Sequence, residues 1–235
     1  MPTRTALFDA LRARFAAREG FALATINLDH LTKLPVDAGF LAAYRAHDLV
    51  VADGRPVIWL SQLARSPVEL MPGSDLIFPL CHLCVEMGVP IAMVGSSDAA
   101  LSGASEALRA AVPGLEVAFT HAPPYGFDPE GAEADAIFAD LAASGAGLCF
   151  IALGAPKQEL FAARGRRQAP QVGFASIGAG LDFLSGHQVR APKIMRVLPL
   201  EWLWRALQSP KRMIPRYAKC FAILPGLAWH AFRQR

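Results

Sequence analysis

No apolar run in this chain approaches the roughly 20 residues that a membrane span needs, although 53% of the sequence is hydrophobic. The nearest, Phe221 to Phe232, is short and contains Pro225 and His230. Surface attachment to a membrane therefore stays open, and spanning is not expected. Cysteine is scarce: Cys81, Cys84, Cys149 and Cys220 give no disulfide framework over 235 residues, which points to a reduced, cytosolic setting. Cys81-His82-Leu83-Cys84 has the spacing of half a zinc site, but no second Cys/His pair completes it. Two thiols and a histidine within a buried helix are expected instead. A dinucleotide fingerprint is missing too. Gly178-Ala179-Gly180 begins like one, yet Phe183 occupies the third glycine position, which speaks against a nicotinamide or flavin enzyme. No Asp-x-Asp pair closes a strand and no His/Asp/Glu group has ligand spacing. Neither a divalent metal nor another cofactor is expected. Met1 to Gly20 carries Arg4, Arg12, Arg14 and Arg18 without the apolar segment of a secretion signal, and reads as a helix.

Acidic residues are also nearly absent from one end. Ser185 to Arg235 holds ten Lys/Arg and a single acid, Glu201, while the remainder holds thirteen Lys/Arg against nineteen Asp/Glu. The net charge of +3 thus hides an acidic body and a strongly cationic appendage. Such a split anticipates an anionic partner, either a phosphorylated ligand or an anionic membrane surface.

Short apolar runs alternate with helical patterns along the body. Strands are expected at Phe21 to Ile26, Leu49 to Ala52, Pro90 to Val94, Leu115 to Thr120, Leu148 to Leu153 and Val172 to Ile177. Most are continuously apolar, as in strands buried on both faces of a parallel sheet. Helices are expected at Pro56 to Ala64, Asp75 to Met87, Asp98 to Ala111, Pro129 to Ala143 and Lys157 to Gln168. The fold class that follows is α/β: a Rossmann-like, mostly parallel sheet with helices on both faces across residues 1–184. A basic, amphipathic helical appendage spans 185–235.

Ligands of such sheets bind outside the carboxyl ends of the strands. The residues there are polar and glycine-rich: Thr25 and Asn27, Asp53-Gly54, Gly95-Ser96-Ser97, Gly154-Ala155-Pro156-Lys157-Gln158-Glu159, and Gly178-Ala179-Gly180-Leu181-Asp182. Asp53 suits a general base if it reaches an attacking hydroxyl, and suits an Asp-Gly turn equally well. Thr25 and Asn27, two residues apart, suit sugar hydroxyls or a base edge, or else the bonding of nearby loop backbone. The turn from Gly154 through Gln158 can present backbone N–H groups to an anion, with charge from Lys157 and an amide from Gln158.

Pro192, Pro199, Pro210, Pro215 and Pro225 are expected to cut the tail into short helices. Met213, Tyr217, Cys220, Phe221 and Leu224 recur as an apolar stripe, with Arg212, Arg216 and Lys219 on a neighbouring face. Trp202, Trp204 and Trp229 add rings of the kind that settle at a membrane interface. A helix pair packed onto the domain explains the stripe but not the one-sided charge. An exposed stripe can equally be buried in a homo-oligomer. A nucleic-acid-binding module would use the tail but leave Asp53, Asn27 and Lys157-Gln158 idle, so nucleic acid is not expected as a partner. A non-catalytic interaction protein would have no use for Asp53.

Taken together, these segments resemble a bacterial glycosyltransferase of the WecG/TagA/CpsF type, glycosyltransferase family 26. The resemblance runs from Thr25 to Tyr217. It rests on Thr25-x-Asn27, Ala52-Asp53-Gly54, Gly73-Ser74-Asp75-Leu76, the Gly154 to Glu159 run, and Gly178 to Phe183. It continues through Arg190-Ala191-Pro192 and Leu200-Glu201-Trp202-Leu203-Trp204-Arg205, with Pro210, Arg212, Arg216 and Tyr217. One departure is Leu70, where the family usually has arginine. The resemblance implies an inverting enzyme at the inner face of the cytoplasmic membrane. It would move a sugar from a UDP-sugar (N-acetylmannosamine, its uronic acid, or glucose) to a polyprenyl-diphosphate-linked sugar. It also implies Asp53 as base, a pocket lined by Thr25, Asn27, Gly154, Lys157, Gln158 and Asp182, and Arg205, Arg212 and Arg216 on the departing diphosphate.

Overall fold

Six parallel strands run through the body: β1 (Phe21–Ile26), β2 (Leu49–Ala52), β3 (Ile91–Gly95), β4 (Val117–His121), β5 (Leu148–Ala152) and β6 (Gly173–Ser176). They form one sheet in the order β2-β1-β6-β5-β3-β4. The computed structural model describes residues 1–186 and 201–235; the side chains of Glu201, Arg205 and Arg212 lie outside that description, as do Arg190, Ala191, Pro192 and Pro199. All six expected strands are present. Strands β1, β3, β5 and β6 are buried almost throughout, as continuous apolar runs require, and β4, at the sheet edge, is half-buried.

Side chains alternate strictly between two cores. Phe21, Leu23, Ile91, Met93, Leu148 and Phe150 face one core. It is shared with α1 (Arg4–Ala16), α5 (Gly73–Met87), α6 (Asp98–Ala111) and α9 (Gly180–Leu184). Ala22, Ala92, Val94, Cys149, Ile151 and Phe174 face the other, against α7 (Ala132–Ala143) and α8 (Lys157–Gln168). Phe40 and Tyr44 of α3 (Ala38–Arg45) pack beside α8 on that second face, over Ala24. The apolar pattern does not single out α3 or the six-residue α2 (Leu28–Lys33) before it. Cys81 and Cys84 are fully buried in α5, as their spacing within an apolar helix implies.

Neighbouring strands β1 and β6 send their chains to opposite faces, into α2 and α3 on one side and α9 on the other. A crevice opens where such connections diverge. Helix α4 (Arg55–Leu63) follows β2 directly, and Gly54 makes that turn with φ +97°, a backbone that side chains other than glycine's adopt at a cost.

The tail differs from expectation. After α10 (Glu201–Gln208), α11 runs unbroken from Pro210 to Arg233 with Pro215 and Pro225 inside it. Each proline removes one helical hydrogen bond and crowds the carbonyl four residues earlier. Both prolines are exposed, as are Lys211 and Phe221, so water reaches the freed carbonyls. Burial of Met213, Cys220 and Ala231 meanwhile holds the helix along its length. Phe221 belongs to the outer surface rather than to this buried stripe, 53% exposed. Trp202 of α10 meets Tyr217 and Phe221 edge-on, with ring centroids 5.9 and 5.7 Å apart. Helix α11 lies across α2 and α4.

Helix α8 approaches the sheet closely at Gly165, where a Cβ would stand 2.5 Å from Phe174 Cζ and 2.8 Å from Phe138 Cε1. Gly165→Ala is expected to cost about 1–3 kcal/mol through overpacking, despite alanine's better helix propensity. Calorimetry should show a thermal midpoint lowered by several degrees; an unchanged midpoint would show that α8 shifts freely over the sheet.

Candidate active site

Strand β1 ends at Ile26, and Asn27 caps α2: its side-chain oxygen accepts from the N–H groups of Asp29 (3.1 Å) and His30 (3.3 Å). With the amide oxygen committed to two backbone donors, the amide nitrogen faces the other way and donates to Asp53 Oδ2 at 3.2 Å. The backbone continues the match, Asp53 N–H donating to the Ile26 carbonyl at 2.8 Å. Asn27 and Asp53, two residues singled out from sequence, thus meet at the carboxyl ends of adjacent strands. Thr25 lies two rungs before them, paired with Val51. It is buried, and its carbonyl accepts from the Tyr44 hydroxyl at 2.6 Å.

The turn after β5 is used as a brace. Gly154 takes φ +71°, and α8 begins with two tethered side chains. Lys157 Nζ donates to the Phe127 carbonyl at 2.6 Å. Gln158, 3% exposed, accepts from Gly178 N–H at 3.1 Å and donates to Glu159 Oε1 at 2.8 Å. Gln158 therefore ties α8 to the loop that follows β6. Beyond that loop, Asp182 accepts a hydrogen bond from Ser96 Oγ. Ser96 has φ +62°, a left-handed backbone that is strained for serine and frequent at functional sites. The rims after β3 and β6 are joined there.

Arg216, half-exposed on α11, places Nε 2.8 Å from Asp29 Oδ1, while Lys33 Nζ stands 2.7 Å from Asp29 Oδ2. These are ion pairs at close range but off the hydrogen-bond direction at Arg216 Nε and Asp29 Oδ2. Burial alone would raise the Asp29 carboxyl; Lys33 and Arg216 together hold it below its ordinary value.

Sequence reasoning missed the acid–histidine–tyrosine group beneath this rim. His30 Nδ1 lies 2.9 Å from the Tyr44 hydroxyl, and its Nε2 faces Glu159 Oε1 at 3.9 Å. Glu159 has no solvent exposure and its Oε2 has no hydrogen-bond partner. Burial pushes the Glu159 carboxyl up to about 7 and depresses His30 to about 4. The readable signal was the cap itself, Asn27-x-x-His30 at the end of a strand, with Asp29 and Lys33 one helical turn apart.

Among the described residues, no three His, Cys, Asp or Glu side chains gather as metal ligands, and no helix is long and apolar enough to cross a membrane. The chain matches the model of the Glycosyl transferase WecG/TagA/CpsF family across residues 2–235. It belongs to that family.

The buried pair gives opposite dependences on pH. Glu159's folded pKa lies above its ordinary value of 4.5, so its burial opposes folding fully above about pH 7 and progressively less on acidification. His30's folded pKa lies below its ordinary 6.5, so its burial costs nothing at neutral pH and weighs increasingly as pH falls toward 4. Glu159→Gln is expected to stabilise the protein by up to about 3 kcal/mol near pH 8 and to steepen its loss of stability in acid. His30→Gln should flatten that loss. Urea unfolding between about pH 5 and pH 8 measures both; equal slopes for wild type and Glu159→Gln would mean that Glu159 stays ionised.

Proposed function

We propose, from its membership of this glycosyltransferase family, that the protein makes cell-surface polymer by inverting transfer from a UDP-sugar to a polyprenyl-diphosphate-linked sugar. The donor sugar would be of the N-acetylmannosamine, N-acetylmannosaminuronic acid or glucose type. The observation that carries this proposal is Asp53, a carboxylate at the end of β2 oriented by the Asn27 amide on the ligand-binding edge of a parallel sheet. Asp53 would take the proton of the acceptor hydroxyl as its oxygen attacks the anomeric carbon from the face opposite the nucleotide. The C–O bond to the diphosphate breaks as the new glycosidic bond forms, and the electron pair leaves with UDP.

Charge then builds on the diphosphate. In this proposal Arg205, Arg212 and Arg216 stabilise it without a divalent metal. Arg216 is the one whose side chain is described, and Asp29 anchors it at the rim. Thr25, Asn27, Gly154, Lys157, Gln158 and Asp182 would line the sugar-nucleotide pocket. Lys157 and Gln158 would act largely through the backbone they brace, since protein partners engage both side chains.

Residues 185–235 would form the membrane-associating appendage, placing the enzyme on the inner face of the cytoplasmic membrane. Support comes from Leu207, Ile214, Phe221, Trp229 and Phe232, all about half exposed or more, beside Lys211, Lys219, Arg233 and Arg235. Cationic residues mixed with exposed rings suit an anionic lipid surface.

A transfer assay in EDTA, with a panel of UDP-sugars and a short-chain lipid-diphosphate-sugar acceptor, tests the chemistry. Wild type should transfer, and Asp53→Asn should lose roughly two to four powers of ten in kcat. Equal rates would remove Asp53 from the mechanism, and dependence on added metal would remove the arginine-only account. Separately, replacing Trp229 and Phe232 with Ser should weaken sedimentation with anionic vesicles. Undiminished sedimentation would place the lipid contact elsewhere.

A further inference from the structure

The tail helix is pinned to the crevice rim by a carboxylate that the proposed chemistry leaves unused. Asp29 is 7% exposed, yet it carries a charge shared between two cations from different parts of the chain. Lys33 comes from the same helix one turn on, and also donates to the Ala155 carbonyl in the turn after β5 at 3.2 Å. Arg216 comes from α11, nearly two hundred residues away in sequence. One buried carboxylate therefore joins three elements: α2, the β5–α8 turn and the tail.

Asp29 also sits inside the cap that orients the base. Its N–H is one of the two donors that hold the Asn27 amide oxygen, and that hold directs the amide nitrogen to Asp53. Helix α11 rests on α2 and α4, which start directly after Asn27 and after the Asp53-Gly54 turn respectively. A buried carboxylate robbed of one cation is poorly tolerated, so the position of α11 and that of α2 are not independent.

We propose that Asp29 is a positioning residue: clamped between Lys33 and Arg216, it locks α11 onto the rim and so keeps the Asn27 amide on Asp53. This rests on the role proposed above for Asp53, but the locking of the tail can be judged without it.

The experiment is hydrogen exchange on the full chain, followed peptide by peptide, with transfer kinetics on the same samples. Asp29→Asn keeps the shape and removes the charge. Exchange across 210–220 should rise about tenfold or more while β3 and β5 stay unchanged, and kcat should fall with the KM for the UDP-sugar unaltered. Asp29→Glu should recover part of both. Arg216→Gln should loosen the same segment equally, and the double variant no further, since each change breaks the same contact. Unchanged exchange across 210–220, or additive loosening in the double variant, would overturn the proposal. Should Asp29→Asn not fold, Arg216→Gln, altering a half-exposed side chain, decides by the same exchange measurement. A wild-type protein that transfers no sugar would sink the transferase mechanism, and the exchange result would still judge the lock.

Discussion

Where β1 ends, the first N–H groups of α2 need acceptors, and the acidic end of β2 needs something to hold it. Asn27 does both with one planar amide. Because its oxygen is held by two backbone donors, its nitrogen has a single direction left, and Asp53 lies in it. Helix capping and orientation of the carboxylate are thus one constraint. A serine or aspartate in its place would cap the helix as well. Neither would give Asp53 an amide donor, since serine offers only a hydroxyl and an ionised aspartate would repel it.

Around that amide the protein spends polar groups in a place where they are costly. His30, Tyr44, Glu159, Gln158 and Asp29 are buried or nearly so, and each is placed against another element. Gln158 holds the β6–α9 loop, Tyr44 the end of β1, and Asp29 the tail helix. Such a network rigidifies the ends of three neighbouring strands, where a flat apolar packing would allow slip. The histidine and glutamate stay mutually compatible through protonation. Burial drives both toward their uncharged forms, so two ionisable groups face each other at 3.9 Å without a full charge on both.

The tail follows the opposite rule. Its inner face is committed to α2 and α4 while its outer face shows aromatic rings and cations. The interior prolines are tolerated because they lie outside, where water serves the carbonyls they release. A helix built this way is fastened to the body on one side and leaves rings and cations exposed on the other. Leu70 bridges to Ala52 beside Asp53. Its apolar side chain stands there at half burial.

By itself the sequence determined the layered α/β body. Six runs of apolar residues, most of them buried on two faces, leave little alternative to parallel strands, and the helical stretches between them supply the crossings. It also placed Asp53, Asn27 and the Gly154 to Glu159 turn at strand ends, because a rim residue is identified by the strand it follows. Tertiary structure alone decided what those residues touch. His30 and Glu159 lie far apart in the chain, and no periodicity links them. Lys157 turns to Phe127, and Arg216 to Asp29, because packing brings a carbonyl or a carboxylate within reach. Proline content predicted a broken tail, since local propensity counts lost hydrogen bonds; the intact helix follows from burial and solvent access, which only the assembled fold supplies.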